Sequence, residues 1–204
     1  VCMTTSISNK KIAIIGGGAA GLMAADFLRH YPVDIVIYEA KPSVGRKFLL
    51  AGKGGMNITH SEEFASFVNR YGAEKDFLQP MLEQFNNQAV RDWMQSLGFD
   101  SFVGSSGRVF PTDMKAAPLL RAWLHRLRES GVKIQVRHEW LGWNDTGALM
   151  FDSPNGTQYI QADAVWIEDV GEVGDVTFQT LRKFLLYGTK AKMDNCGESW
   201  GLLL

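Results

Sequence analysis

Apolar positions near the start of the chain fall into two continuous runs separated by a segment rich in alanine and leucine. Lys11-Ile12-Ala13-Ile14-Ile15 is short, apolar and ends in glycines, the pattern of a parallel strand buried on both faces. Ala20 to Tyr31 reads as a helix closed by Pro32, and Asp34 to Glu39 is a second β-branched, apolar strand. Strand, glycine turn, helix and strand within about 30 residues make a βαβ unit, whose crossover is nearly always right-handed.

Further along, Pro42 to Thr59 is glycine-rich and reads as irregular. Ser61 with Glu62 and Glu63 behind it has the form of a helix start, and Gly72 is expected to stop that helix. Val90, Trp93, Met94 and Leu97 recur at helical spacing before Gly98, and Leu120, Trp123, Leu124 and Leu127 repeat the pattern before Gly131. Val132, Ile134 and Val136 alternate as a strand. Two turn signals, Asn144-Asp145-Thr146-Gly147 and Ser153-Pro154-Asn155-Gly156, then divide Trp140 to Ala162 into a β-meander. Asp163-Ala164-Val165-Trp166 opens another apolar run. The fold class expected is α/β: a Rossmann-like domain with a parallel sheet, a βαβ unit and a β-meander.

Composition adds limits to this picture. The chain has 204 residues, 46% hydrophobic and 21% charged, with a formal net charge of -1. That balance is globular rather than disordered, and it gives no general argument for a nucleic-acid or membrane partner. The basic segment Lys115, Arg121, Arg126, Arg128, Lys133 and Arg137 is interrupted by Asp113, Glu129 and Glu139, the pattern of a solvated face. Cys2 and Cys196 stand near opposite ends without a CxxC or metal spacing, which favours a reducing compartment over a disulfide framework. His30, His60, His125 and His138 have no ligand spacing, so no metal site is expected. Ile12 to Leu28 follows Lys10-Lys11 as a signal peptide would, but it contains Asp26 and several glycines, and the expectation is a cytoplasmic protein without a transmembrane helix.

The chemistry concentrates at the glycine turn. Gly16-Gly17-Gly18-Ala19-Ala20-Gly21 fits G-x-G-x-x-G, with a strand before it and a helix after it, as the motif requires. Gly16 allows the tight turn, Gly18 lets a diphosphate approach the backbone, and Gly21 lets the helix pack close to the strand. The helix N-terminus offers N–H groups and a positive dipole end to the phosphates. Glu39, at the end of the second strand, stands where a carboxylate accepts hydrogen bonds from ribose hydroxyls and repels a 2′-phosphate. After Glu39 and Ala40 the chain passes through Pro42 into Gly45-Arg46-Lys47 and Ala51-Gly52-Lys53-Gly54-Gly55-Met56-Asn57-Ile58-Thr59. Repeated glycines there expose backbone to a large planar ligand, and Arg46 and Lys47 bring positive charge toward a diphosphate.

The stretch from Gly45 to Thr59 closely resembles the signature of the HI0933-like (YhiN/BaiN-like) flavoproteins. Gly104-Ser105-Ser106-Gly107-Arg108-Val109-Phe110-Pro111, followed by Lys115-Ala116-Ala117, resembles their second signature. The resemblance covers about Lys11 to Trp166 and implies an FAD-dependent oxidoreductase, with NAD(P)H as a candidate reductant. It implies cofactor contacts at Gly16, Gly18, Ala19, Ala20, Gly21, Glu39, Ala40, Gly45, Arg46, Lys47 and Asn57. It also implies backbone contacts to the adenine from the strand near Val136 to Trp140. No side chain is assigned as catalytic; His60 and Lys53 are the candidates within reach of the signature loop.

After Asp163-Ala164-Val165 the family pattern runs into a glycine-rich strand end, whereas this chain reads Trp166-Ile167-Glu168-Asp169-Val170-Gly171-Glu172. The expected organisation is therefore a partial FAD-binding domain over 1–166 and a tail over 167–204 that departs from the family, the mark of a truncated or frame-shifted product. Phe178, Leu181, Leu185 and Leu186 would make one short amphipathic helix in that tail. Such a chain is expected to be marginal in stability, to self-associate through exposed apolar surface and to hold FAD poorly. The alternative to a flavoprotein oxidoreductase is a dinucleotide-binding module without turnover, and the substrate is not legible.

Overall fold

The computed structural model describes residues 9–51 and 54–167. The tail from residue 168, its expected helix over 177–186, the carboxylates Glu168 and Asp169, both cysteines, and Gly52 and Lys53 lie outside the described residues.

Three layers build the domain. The middle layer is a parallel sheet of β1 (Lys10–Ile15), β2 (Val33–Glu39), β6 (Lys133–Val136) and β10 (Ala164–Ile167), in the order β10-β1-β2-β6. Ile14 stands opposite Ile37 on one side and Trp166 on the other. Alternation along these strands divides their side chains between two cores, because successive residues point to opposite faces. Ile14, Ile35 and Ile37 face α1 (Ala19–Leu28) and α6 (Ala116–Glu129), where Leu22, Leu120, Trp123 and Leu127 complete the larger core. Ala13 and Tyr38 face the other way, onto Leu149 and Phe151. Those two belong to the antiparallel meander of β7 (Glu139–Trp143), β8 (Leu149–Ser153) and β9 (Gly156–Ile160), which lies where the turn signals put it.

Between β2 and α6 the chain makes a third unit. α2 (Arg46–Ala51) leads to β3 (Thr59–His60), α3 (Phe64–Asn69), a 3₁₀ turn at Gly72–Glu74, α4 (Lys75–Gln84), α5 (Asn87–Ser96), β4 (Ser101–Val103) and β5 (Arg108–Pro111). The three short strands pair antiparallel in the order β3-β5-β4. Met56, Met94, Ala116 and Leu119 form the core that joins this unit to α6.

The structure corrects several expectations. Pro42 to Thr59 is not irregular throughout, since α2 forms inside it. Phe48 of that helix packs on Trp123 of α6, so tertiary packing overrides the glycine-rich composition. The first helix ends at Leu28 rather than Tyr31, followed by a turn in which the Tyr31 N–H donates to Leu28 O at 3.0 Å. Gly72 does not end a helix that begins at Ser61; α3 starts three residues later, at Phe64, and Gly72 opens the 3₁₀ turn. α5 carries the expected stripe and is capped by Asn86, whose side chain accepts the Ala89 N–H at 2.9 Å.

Candidate cofactor site

The strands β1 and β2 run parallel, and the glycine turn sits at their C-terminal ends, the end of an open α/β sheet where ligands bind. Gly16, with φ of +106°, donates its N–H to Tyr38 O at 2.8 Å, which pins the turn to the neighbouring strand. A side chain would strain that backbone. Gly18 is the N-cap of α1 in extended conformation and, as glycine, brings no capping side chain of its own. The first turn of α1 itself carries no acidic residue, and the positive end of the helix dipole lies at the glycine turn. Gly21 is buried in the first turn of α1.

Glu39 is held from two directions. Its Oε2 accepts the Gly17 N–H at 2.9 Å and its Oε1 accepts the Lys41 N–H at 2.7 Å. Bonds of this kind, to an ionised acceptor, are about twice as strong as neutral ones and fix the carboxylate in orientation. Each oxygen keeps acceptor capacity for a further donor. A Cβ on Gly17 would lie 2.4 Å from Val44 Cγ1 and 3.2 Å from Glu39 Oε2, so the turn fits its surroundings only as glycine.

The loop after β2 closes onto this turn. Gly45 donates its N–H to Gly17 O at 2.7 Å, and α2 begins at the next residue with Arg46 and Lys47, both exposed. Ala19 and Ala40 are exposed beside the same turn and Ala20 is half-buried. Gly16, Gly18, Ala19, Ala20, Gly21, Glu39, Ala40, Gly45, Arg46 and Lys47 thus gather at one end of the parallel sheet.

Asn57 and Trp140 stand apart from that group. In the amide orientation that satisfies its neighbours, Asn57 donates to Thr59 O at 2.8 Å and to Val109 O at 3.3 Å, tying the first signature segment to the second. Trp140 pairs with Phe151 across β7 and β8 and sets its ring edge-on to Trp143, 4.6 Å between centroids, so its side chain belongs to the meander. The segment that touches Glu39 lies just before it. His138 N–H donates to Glu39 O at 2.9 Å and Arg137 N–H to Lys41 O at 3.1 Å. The His138 ring is buried beside Tyr38 and Phe151. A lone histidine after a strand carries no signal in the sequence for such a place. Burial raises the Tyr38 phenol above its ordinary value by desolvation.

His60 is poorly placed for proton transfer, because both ring nitrogens are engaged. Nδ1 accepts the Glu62 N–H at 3.2 Å and Nε2 donates to Ser106 O at 3.0 Å, a tautomer assigned from these partners. Among the described residues no group of three His, Cys, Asp or Glu side chains could hold a metal ion. Among them, too, no helix is long and apolar enough to cross a membrane.

A parallel sheet with a glycine turn at its C-terminal end and an acidic residue closing the second strand defines a Rossmann-like domain. Residues 10–173 match the family model described as HI0933-like protein Rossmann domain, and the chain belongs to that family. The match runs past Trp166. The chain is similar to the 3-dehydro-bile acid delta(4,6)-reductase of Clostridium scindens, 34% identical over 127 residues that cover 61% of this chain and 30% of that protein. It therefore spans less than a third of that curated relative. Among solved structures, THI4 from Thermovibrio ammonificans superposes with a TM-score of 0.51 at 15% identity, over 86% of this chain and 62% of that one. A 3-ketosteroid-delta4-(5alpha)-dehydrogenase from Rhodococcus jostii superposes with a TM-score of 0.53 at 13% identity, over 81% of this chain and 47% of that one. Likeness at these identities is likeness of fold.

Proposed function

We propose that this chain is the FAD-binding unit of a flavoprotein oxidoreductase, with the ADP half of the cofactor seated on the turn Gly16 to Gly21 and its ribose at Glu39. The observation that carries the reading is the pairing of two features within one turn: a glycine N-cap that opens α1 at the C-terminal end of β1, and a carboxylate anchored by Gly17 and Lys41 with acceptor capacity to spare. The first suits a diphosphate and the second suits ribose hydroxyls.

The residues fit the cofactor in their division of labour. Gly16, Gly18 and Gly21 shape the turn, with Ala19 and Ala20 opening the helix. Glu39 and Ala40 lie at the ribose, while Arg46 and Lys47 supply positive charge from the start of α2. Asn57 acts on the cofactor side by holding the shape of the signature loop. The adenine contacts come from the backbone between Val136 and Trp140, on the Arg137–His138 side of that segment. When bound, the flavin supplies hydride and electron chemistry, and the protein supplies binding, orientation and electrostatics.

Family membership favours this reading over a dinucleotide-binding module without turnover. NAD(P)H is the reductant we assign, a small molecule the substrate, and the reducing cytoplasm the setting. Residues 1–166 form the cofactor-binding part in this reading and 167–204 a separate tail. The curated relative is named a bile-acid reductase, so a conjugated steroid ketone is the first substrate class to assay. The test is the purified chain itself: saturable FAD binding with bound-flavin absorbance supports the proposal, and the lack of either at high micromolar FAD contradicts it.

A further inference from the structure

We propose that Asp26 is a positioning residue that fixes α2, and with it the Arg46–Lys47 end of the cofactor loop, against α1. The functional part of this inference rests on the FAD reading above; its structural part does not.

Asp26 lies on the buried face of α1, 5% exposed, where a carboxylate is costly unless fully paired. It is paired four times. Oδ1 accepts from Arg29 Nε at 2.6 Å, and Oδ2 accepts from Trp93 Nε1 at 2.8 Å, from Trp123 Nε1 at 3.1 Å and from Arg126 Nη2. Arg126 also donates through Nη1 to Ser96 Oγ at 2.8 Å. One carboxylate on α1 therefore registers α5 and α6 together. An aliphatic residue would fill the same volume and leave two indole N–H groups and two guanidinium groups without their acceptor.

Trp123 carries this constraint onward to α2. Its ring lies edge-on to Trp93, centroids 4.7 Å apart, and Phe48 of α2 packs against it at 6.0 Å. On α6, Leu120 fills the space beside Gly45, where a Cβ would come within 2.6 Å of Leu120 Cδ2. Gly45 in turn bonds Gly17 of the glycine turn. The contacts close a ring: Asp26 of α1, Trp123 of α6, Phe48 of α2, Gly45, Gly17 and back to α1. Within that ring, the indole N–H bonds to Asp26 are what select a single orientation for Trp123, since apolar contacts alone are non-directional.

The test uses amide hydrogen exchange on the whole chain without ligand, which reports local opening directly. In Asp26→Asn, protection of the Gly45 and Leu49 amides should fall about tenfold, the size expected of a lost charged hydrogen bond, while β8 and β9 keep theirs. Trp123→Phe, which removes the N–H and retains a ring, should give a smaller loss in the same segment. It also keeps the test decisive if the Asn variant does not fold. Val68→Ala opens a cavity in α3 and should lower Tm without touching those two amides. In parallel, Asp26→Asn should raise the Kd for FAD about tenfold and Val68→Ala should leave it unchanged. Native protection of Gly45 and Leu49 in both the Asp26 and Trp123 variants would overturn the inference. A wild-type chain that binds no FAD would count against the cofactor reading alone, and the exchange result would still decide on Asp26.

Discussion

Glu39 shows how much one side chain does at this site. It is at once an acceptor for the turn, through Gly17 N–H, and for its own loop, through Lys41 N–H. Its remaining acceptor capacity is what the ribose would use. Glu39→Ala should therefore weaken FAD binding by about 1–3 kcal/mol, the range for a lost hydrogen bond to a charged group, as measured by calorimetry. Unchanged affinity would make it a strand-end acid whose work is confined to the turn. The placement of Gly16, Gly18 and Glu39 at the end of the sheet was legible in the sequence because it is local: backbone conformation and strand-end position follow from spacing alone. Asp26 was not legible. In the sequence it is only an acid within an apolar helix, and its partners Trp93, Trp123 and Arg126 come from two other helices.

At the scale of elements, α2 is the clearest case of packing overruling composition. Its first residue follows a glycine with φ of +68°, pressed against Leu120. Gly45→Ala should destabilise the chain by about 1–2 kcal/mol from the left-handed backbone alone, with a further cost from crowding Leu120. Urea denaturation should show a lower midpoint at unchanged slope. An unchanged midpoint would mean that α2 is not seated on α6 as described. The βαβ unit, α5, α6 and the meander were readable from periodicity and turn chemistry. The β3-β5-β4 sheet and α4 were not, because strands of two to four residues paired over long sequence separations leave no period to read.

For the molecule as a whole, two cores on either face of one sheet make stability sensitive to what is buried beneath the meander. Tyr38 stacks on Phe151 with centroids 4.4 Å apart, and desolvation raises its phenol above the free value of 10.0. A group whose folded pKa is raised holds its proton more tightly when folded. Its contribution is fully present below pH 10.0 and is lost as pH rises from there through the folded value. Alkaline unfolding should accordingly be steeper in the native chain than in Tyr38→Phe, with no difference in slope at neutral pH. Equal alkaline slopes would show that Tyr38 is not shielded as the packing describes.

The central claim is that the glycine turn at the end of β1 seats the ADP half of FAD. Calorimetric titration of the chain with FAD and with FMN, which lacks the AMP moiety and keeps only one of the two phosphates, tests it most directly when repeated on Gly18→Val. The account predicts saturable binding of FAD, far weaker binding of FMN, and loss of FAD affinity in Gly18→Val with an unchanged circular dichroism spectrum, because a branched side chain fills the space where the diphosphate meets the backbone. FMN binding as tight as FAD, or a Gly18→Val chain that keeps its FAD affinity, would contradict it.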